Sequence, residues 1–315
     1  MLASRPQSSW QLPRRTLSLG VRTLIMAVVN ITPDSFSDGG AFLNAQTAIA
    51  HALKCIEDGA DILDLGAEST RPGSNAGGAP NSPNAPAVSA EEEQARLLPV
   101  LEGILKAEPQ AVLSIDTYKA ATARAALAAG AEIINDVSAF TWDPDLAQAC
   151  AEARCGVVLS HTRGRPEEWR RQPQLAPDAL LALVHDGLAS SLSVATRSGI
   201  PLHALLLDPG YGFGKRFGEN YALLSRQSEL LSLGRPLLAG LSRKSFLGHT
   251  LAPLHGNTPA PVDQREAASI AAMVAAILNG ASIVRVHAVR PAVEAALIAD
   301  ALLAARRAAS NRNSL

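Results

Sequence analysis

Eight short apolar runs, each followed by a segment with helical spacing, constrain this chain more than any single motif. The runs are Thr23–Val29, Asp61–Leu65, Val112–Ile115, Glu132–Ile134, Gly156–Leu159, Ala204–Leu207, Pro236–Ala239 and Ser282–Val286. Short continuous apolar runs are what parallel strands look like when both faces are buried. The segments between them are rich in alanine and leucine: Ala45–Glu57, Ala90–Ala107, Lys119–Ala129, Pro144–Ala153, Asp178–Ser198, Glu219–Leu231, Arg265–Leu278 and Pro291–Arg306. Glycine follows several of them, and Ser89 with Glu92 forms an N-terminal capping pattern. The alternation predicts an α/β protein, a single (β/α)₈ TIM barrel whose working face lies at the C-terminal ends of the strands. A doubly wound open sheet is the alternative. Its dinucleotide form needs G-x-G-x-x-G after the first strand, where this chain has Asn30-Ile31-Thr32-Pro33-Asp34.

Ahead of the first unit, Ser9–Leu12 and Thr16–Leu19 flank Pro13-Arg14-Arg15 and read as a short β-hairpin that could plug one end of the barrel. This divides the chain into an N-terminal extension (1–16), the barrel (17–306) and a flexible tail (307–315). Ser74–Ala87 lacks periodicity and reads as a long loop after the second strand.

A formal net charge of -1 and the lack of a long basic run argue against nucleic acid as a partner. Cys55, Cys150 and Cys155 have no framework spacing and suit a reducing, cytoplasmic setting. Their pattern does not resemble a zinc site. No apolar run is expected to span a membrane. The arginines and serines of the first twenty residues faintly resemble a transit peptide, but the hairpin is the preferred reading.

On a barrel, polar residues at strand ends are the informative ones. Here they are Asn30, Asp64, Glu68, Asp116, Asn135, Asp136, His161, Asp208, Ser242 to Ser245, Arg285 and His287. A single one is ordinarily a turn residue or a cap; so many at one rim suggest a site. Asp116, Asn135 and Asp208 suit a flat heterocycle with adjacent N–H donors. Arg71, Lys244, Arg285 and His287 suit phosphate. Arg285 and His287, two apart on a strand, must point to one side. The glycine-rich stretch Leu206 to Lys215 ends a strand on Asp208 and could approach a planar ligand closely. It is not a phosphate loop. Pro209 stands where G-x-x-x-x-G-K-[ST] needs its first glycine, and Arg216 where it needs Ser or Thr.

Asn30 to Gly40 (NITPDSFSDGG) and Asp64 to Gly73 (DLGAESTRPG) resemble the two signatures of the dihydropteroate synthase family. Ser114–Thr117, Ile134–Asp136, Leu207–Lys215, Ser242–Ser245 and Arg285–His287 follow in that family's order. The resemblance runs from about Leu17 to Leu303 and implies a pterin-binding barrel of folate biosynthesis. The expected reaction joins 6-hydroxymethyl-7,8-dihydropterin diphosphate to p-aminobenzoate, by SN1-like loss of diphosphate. By the same resemblance, Asp116, Asp208, Lys244, Arg285 and His287 are catalytic. Asp116, Asn135, Asp208, Phe213 and Lys244 hold the pterin. Asn30, Thr70, Arg71, Arg285 and His287 attend the diphosphate, with Mg2+ at Asn30. Phe36, Pro72, Lys244 and Ser245 line the p-aminobenzoate site, where sulfonamides compete. A homodimer through the late helices is implied as well.

Two departures stand out. The Ser74–Ala87 stretch is longer than usual, and its deletion is expected to leave activity intact. Leu159–Arg163 replaces a methionine-containing segment, and His161 is expected to pack rather than react. A pterin-dependent methyltransferase would share the acids but need no diphosphate site. A non-catalytic pterin-binding scaffold would bind without turnover.

Overall fold

The computed structural model describes residues 5–31, 40–69, 76 and 88–312; for 40–44 and 310–312 only the backbone is described. Two strands come first, β1 (Ser8–Gln11) and β2 (Thr16–Leu19). Eight parallel strands follow: β3 (Leu24–Asn30), β4 (Ile62–Gly66), β5 (Leu113–Asp116), β6 (Ile133–Asp136), β7 (Gly156–Ser160), β8 (Leu205–Asp208), β9 (Leu237–Ala239) and β10 (Ala281–Val286). They close in sequence order, with β10 returning to pair with β3. The helices are α1 (Gly40–Glu57), α2 (Ala90–Ala107), α3 (Ala120–Ala128), α4 (Leu146–Ala153), α5 (Pro177–Arg197), α6 (Phe217–Ser225), α7 (Ser245–Thr250), α8 (Glu266–Leu278) and α9 (Val289–Arg312). The closed (β/α)₈ barrel is therefore the fold, and the open sheet is excluded.

Strand alternation sorts the residues into two cores. Ile25, Ala27, Leu63, Leu65, Ile115, Ile134, Val157, Leu159, Leu205 and Leu207 face the helices. Leu24, Met26, Ile62, Val112, Ile133, Val158, Leu206, Leu238 and Ile283 fill the barrel's interior. The same interior cluster holds Trp10, Leu12 and Leu19 of the hairpin. Trp10 is fully buried, and its indole N–H donates to the Ala204 carbonyl at 2.8 Å. Gly156 leaves the room: a Cβ there would lie 2.4 Å from Leu12 and 3.1 Å from Trp10. The hairpin thus plugs the N-terminal end of the barrel, as expected, and straddles the anticipated boundary at residue 16. Arg5 adds a second clasp, with Thr23 at 2.6 Å and Asp300 of α9 at 2.9 Å.

Two local expectations are corrected. The segment Glu219–Leu231 is not one helix: α6 stops at Ser225, and a 3₁₀ turn covers Gln227–Leu233. The break turns Gln227 inward, where Tyr211 donates to it at 2.8 Å and its amide donates to the Ala276 carbonyl at 3.0 Å. α9 continues to Arg312, so the segment after Arg306 is helical for most of its length. The helix α5 resembles a membrane span in length and composition alone. Its Leu180, Leu181, Val184, Leu188 and Ala195 are buried in the barrel's outer core, which accounts for that apolarity. As predicted, the Ser89 hydroxyl caps α2, accepting from the Glu92 amide at 3.1 Å.

Candidate active site

Above the apolar interior, the inward-facing positions turn polar. Asn30 shares its face of β3 with Leu24 and Met26, and Asp64 shares its face of β4 with Ile62. By the same parity Ser114 and Asp116 face inward from β5, Asn135 from β6, Asp208 from β8, and Arg285 and His287 from β10 and its end. Register places Asp64 opposite Ser114, and Asp116 opposite Asn135. Of the residues foreseen at the rim, Asn30, Asp116, Asn135, Asp208, Arg285 and His287 thus turn toward one mouth. Asp136 points the other way and is consumed locally. Its carboxylate accepts from the Ser138 amide at 2.8 Å and the Phe140 amide at 2.5 Å.

Arg285 is the hub. Its Nε donates to Asp64 at 2.5 Å and its Nη2 to Asp116 at 2.6 Å. Burial opposes the guanidinium charge, yet Asp64 and Asp116 hold its pKa above the ordinary arginine value. Asp64 is fully buried and also accepts from the Ser114 hydroxyl at 2.6 Å and the Asn135 amide at 3.0 Å. Its place at a strand end assigns it no role by itself; only barrel closure shows what it holds.

Burial raises the Asp116 carboxyl to about 7, against the pull of Arg285. Burial also raises Asp208, opposed by the Gly210 amide, which donates to it at 2.7 Å, and by Lys244 and Lys215. Lys244 is pushed down to about 8 by burial, with Asp208 opposing. Its ammonium sits 3.8 Å from the centroid of Phe213, so the cation and the ring occupy one wall. Near His287, the Ser242 hydroxyl accepts from the His287 backbone N–H at 3.3 Å and lies 3.0 Å from Nδ1. That hydroxyl therefore holds the His287 ring in place through Nδ1, with the donor set by the ring's tautomer. Ser245 is exposed as the first residue of α7. Phe36, Thr70, Arg71 and Pro72, and the Ser74–Ala87 stretch apart from Ala76, lie outside the described residues.

The glycine loop works differently from the expectation of close ligand approach. Gly210 has φ +70°, and a Cβ there would fall 1.9 Å from the His161 carbonyl oxygen. Gly212, at φ +81°, packs on the Lys244 stem, 3.2 Å from a built Cβ. These glycines let the loop press against its own chain. Lys215 completes it from beneath, donating to the carbonyls of His161 at 3.0 Å, Gly210 at 2.8 Å and Phe213 at 3.3 Å. No sequence signal separates such a buried lysine from a phosphate-binding one. The packing role expected for His161 matches its position. Its ring lies against Gly187 of α5, away from the barrel interior. Burial first, then Lys215 and Arg163, keeps it well below its ordinary pKa and so neutral.

A ring of acceptors beside cations inside a closed barrel defines a site for a flat, donor-edged heterocycle bearing an anionic group. The family model "Pterin binding enzyme" matches residues 26–287, and the chain belongs to this family. The chain is 39% identical to a dihydropteroate synthase of Bacillus subtilis over 91% of both chains. A solved structure of Xanthomonas albilineans dihydropteroate synthase with 4-aminobenzoic acid superimposes with a TM-score of 0.81 at 40% identity, covering 94% of this chain and 98% of that one. A Yersinia pestis dihydropteroate synthase in complex with a sulfonamide drug gives a TM-score of 0.81 at 38% identity, covering 94% and 99%.

The Asp208→Asn substitution is expected to weaken pterin binding by about 1.5–3 kcal/mol, the worth of a charged hydrogen bond. Calorimetric titration measures this; unchanged affinity would remove Asp208 from the binding set.

Proposed function

We infer that the chain is an enzyme of folate synthesis that makes 7,8-dihydropteroate and diphosphate from 6-hydroxymethyl-7,8-dihydropterin diphosphate and p-aminobenzoate. One observation carries the reading. Asp116, Asn135, Asp208 and Lys244 converge on the mouth of a barrel that belongs to the pterin-binding family. Diphosphate leaves from a carbon attached to an electron-rich ring. In an SN1-like step the ring gains positive charge, which Asp116 and Asp208 offset. The leaving group carries negative charge, which Arg285 and His287 meet. Preorganised groups of this kind are worth several kcal/mol. The arylamine then attacks the carbon, so no protein nucleophile is required. Sulfonamides, as arylamines, are expected to compete with p-aminobenzoate.

Mg2+ is proposed at Asn30. Its side chain ends an inward-facing strand beside Gly66, and its amide oxygen is a hard donor. One protein oxygen plus diphosphate oxygens and water matches how this ion is ordinarily held. When bound it would supply charge neutralisation to the leaving group.

The decisive experiment follows diphosphate release from the pterin diphosphate, with and without p-aminobenzoate. Turnover with dihydropteroate formation supports the reading; binding without turnover overturns it.

A homodimer through the late helices is also proposed. Beyond Glu266, α8 carries no charged residue, and Ala267 and Ala271 are exposed beside half-buried Ile270 and Val274. Light scattering at micromolar concentration is expected to give twice the chain mass; a monomer mass refutes it. A cytoplasmic location is proposed too. It is supported by the free thiols of Cys55, Cys150 and Cys155, all buried and unbridged.

A further inference from the structure

Asp64 makes no approach to the mouth of the barrel, yet it touches two residues that do. Its side chain is fully buried, below Asn135 and Arg285, and one oxygen, Oδ2, accepts from both. The other oxygen is held by the Ser114 hydroxyl at 2.6 Å, so the carboxylate cannot rotate away. An ionised carboxylate only accepts. The Asn135 amide must therefore turn its nitrogen toward Asp64. That leaves its Oδ1 and its second N–H side by side, as an acceptor next to a donor.

This pair has a definite complement: an exocyclic amine beside an unprotonated ring nitrogen. A ring carrying a carbonyl beside a ring N–H presents the opposite pattern. With the ring kept in the same orientation, it would match the amide only if Asn135 flipped, setting its carbonyl oxygen against the Asp64 carboxylate; the alternative is for the ring to turn over and give up its contacts with the other polar groups of the mouth. We propose that Asp64 is a positioning residue that locks the Asn135 amide and so makes the site choose amino- over oxo-substituted pteridines. The inference rests on the pterin reading of the site and extends it to the substituent recognised.

Calorimetric titration with 2-amino-4-oxopteridine and with 2,4-dioxopteridine tests it. The unaltered protein is expected to prefer the amino ring. Asp64→Ala removes the acceptor and frees the amide, and the preference is expected to fall by about tenfold, because a polar pocket's discrimination depends on a fixed donor–acceptor pattern. Asp64→Leu, close in volume, serves as the probe where the alanine variant does not fold. Asp64→Asn can still turn an oxygen to Asn135 and its amine to Ser114, so it is expected to retain the preference. A purely structural Asp64 would weaken both rings alike. An unchanged ratio in the apolar variant, with the unaltered protein binding, overturns the inference alone. Failure of the unaltered protein to bind either ring overturns the pterin reading and this inference with it.

Discussion

Replacing Arg285 with methionine is expected to lower turnover by about 100–1000-fold, the usual cost of losing one preorganised charge donor. It is also expected to destabilise the fold by about 3–5 kcal/mol, because breaking a buried ion pair strands its partners. Here the partners are two carboxylates, Asp64 at 2.5 Å and Asp116 at 2.6 Å. The penalty should depend on pH with a definite sign. A carboxyl whose folded pKa is raised binds more protons folded than unfolded, so stability falls as pH rises between the two values. Asp116 already stands at about 7, and loss of Arg285 removes the strongest influence pulling it down. The variant should therefore sit closer to the unaltered protein at pH 5 than at pH 8. Urea denaturation at both pH values, beside steady-state diphosphate release, measures both effects. A stable variant with ordinary turnover would mean that Arg285 is neither hub nor catalytic group.

Trp10→Ala is expected to cost a comparable 3–5 kcal/mol, roughly, and to leave the chemistry alone. The indole fills the N-terminal end of the barrel with Leu12 and Leu19, in a gap that Gly156 keeps open. Alanine leaves a cavity there and strands the Ala204 carbonyl. The active-site mouth lies at the opposite ends of the same strands, so kcat/KM measured well below the unfolding transition should hold. Denaturant titration paired with that assay separates the outcomes. Lost activity in the folded variant would show that the plug sets the geometry of the mouth.

Much of this is legible in the sequence. Periodicity alone marked eight strands and the ends that carry Asn30, Asp116, Asn135, Asp208 and Arg285. The period of two placed Arg285 and His287 on one face, and the capping pattern placed the start of α2 at Ala90. Local pattern was less informative where tertiary contacts override it. The helix expected over Glu219–Leu231 breaks because Gln227 finds partners on Tyr211 and α8. The glycine loop looked ready for a ligand but folds onto His161, Lys244 and its own Lys215.

The chain's alternation determined the barrel, its working end and the kind of residue found there, since those follow from spacings of two and 3.6 within each segment. Which side chains meet was decided only by closure. Asp64 holds Ser114, Asn135 and Arg285 across separations of 50, 71 and 221 residues. Those contacts depend on parallel register around the barrel and on the return of β10 to β3. No spacing within a single segment encodes them.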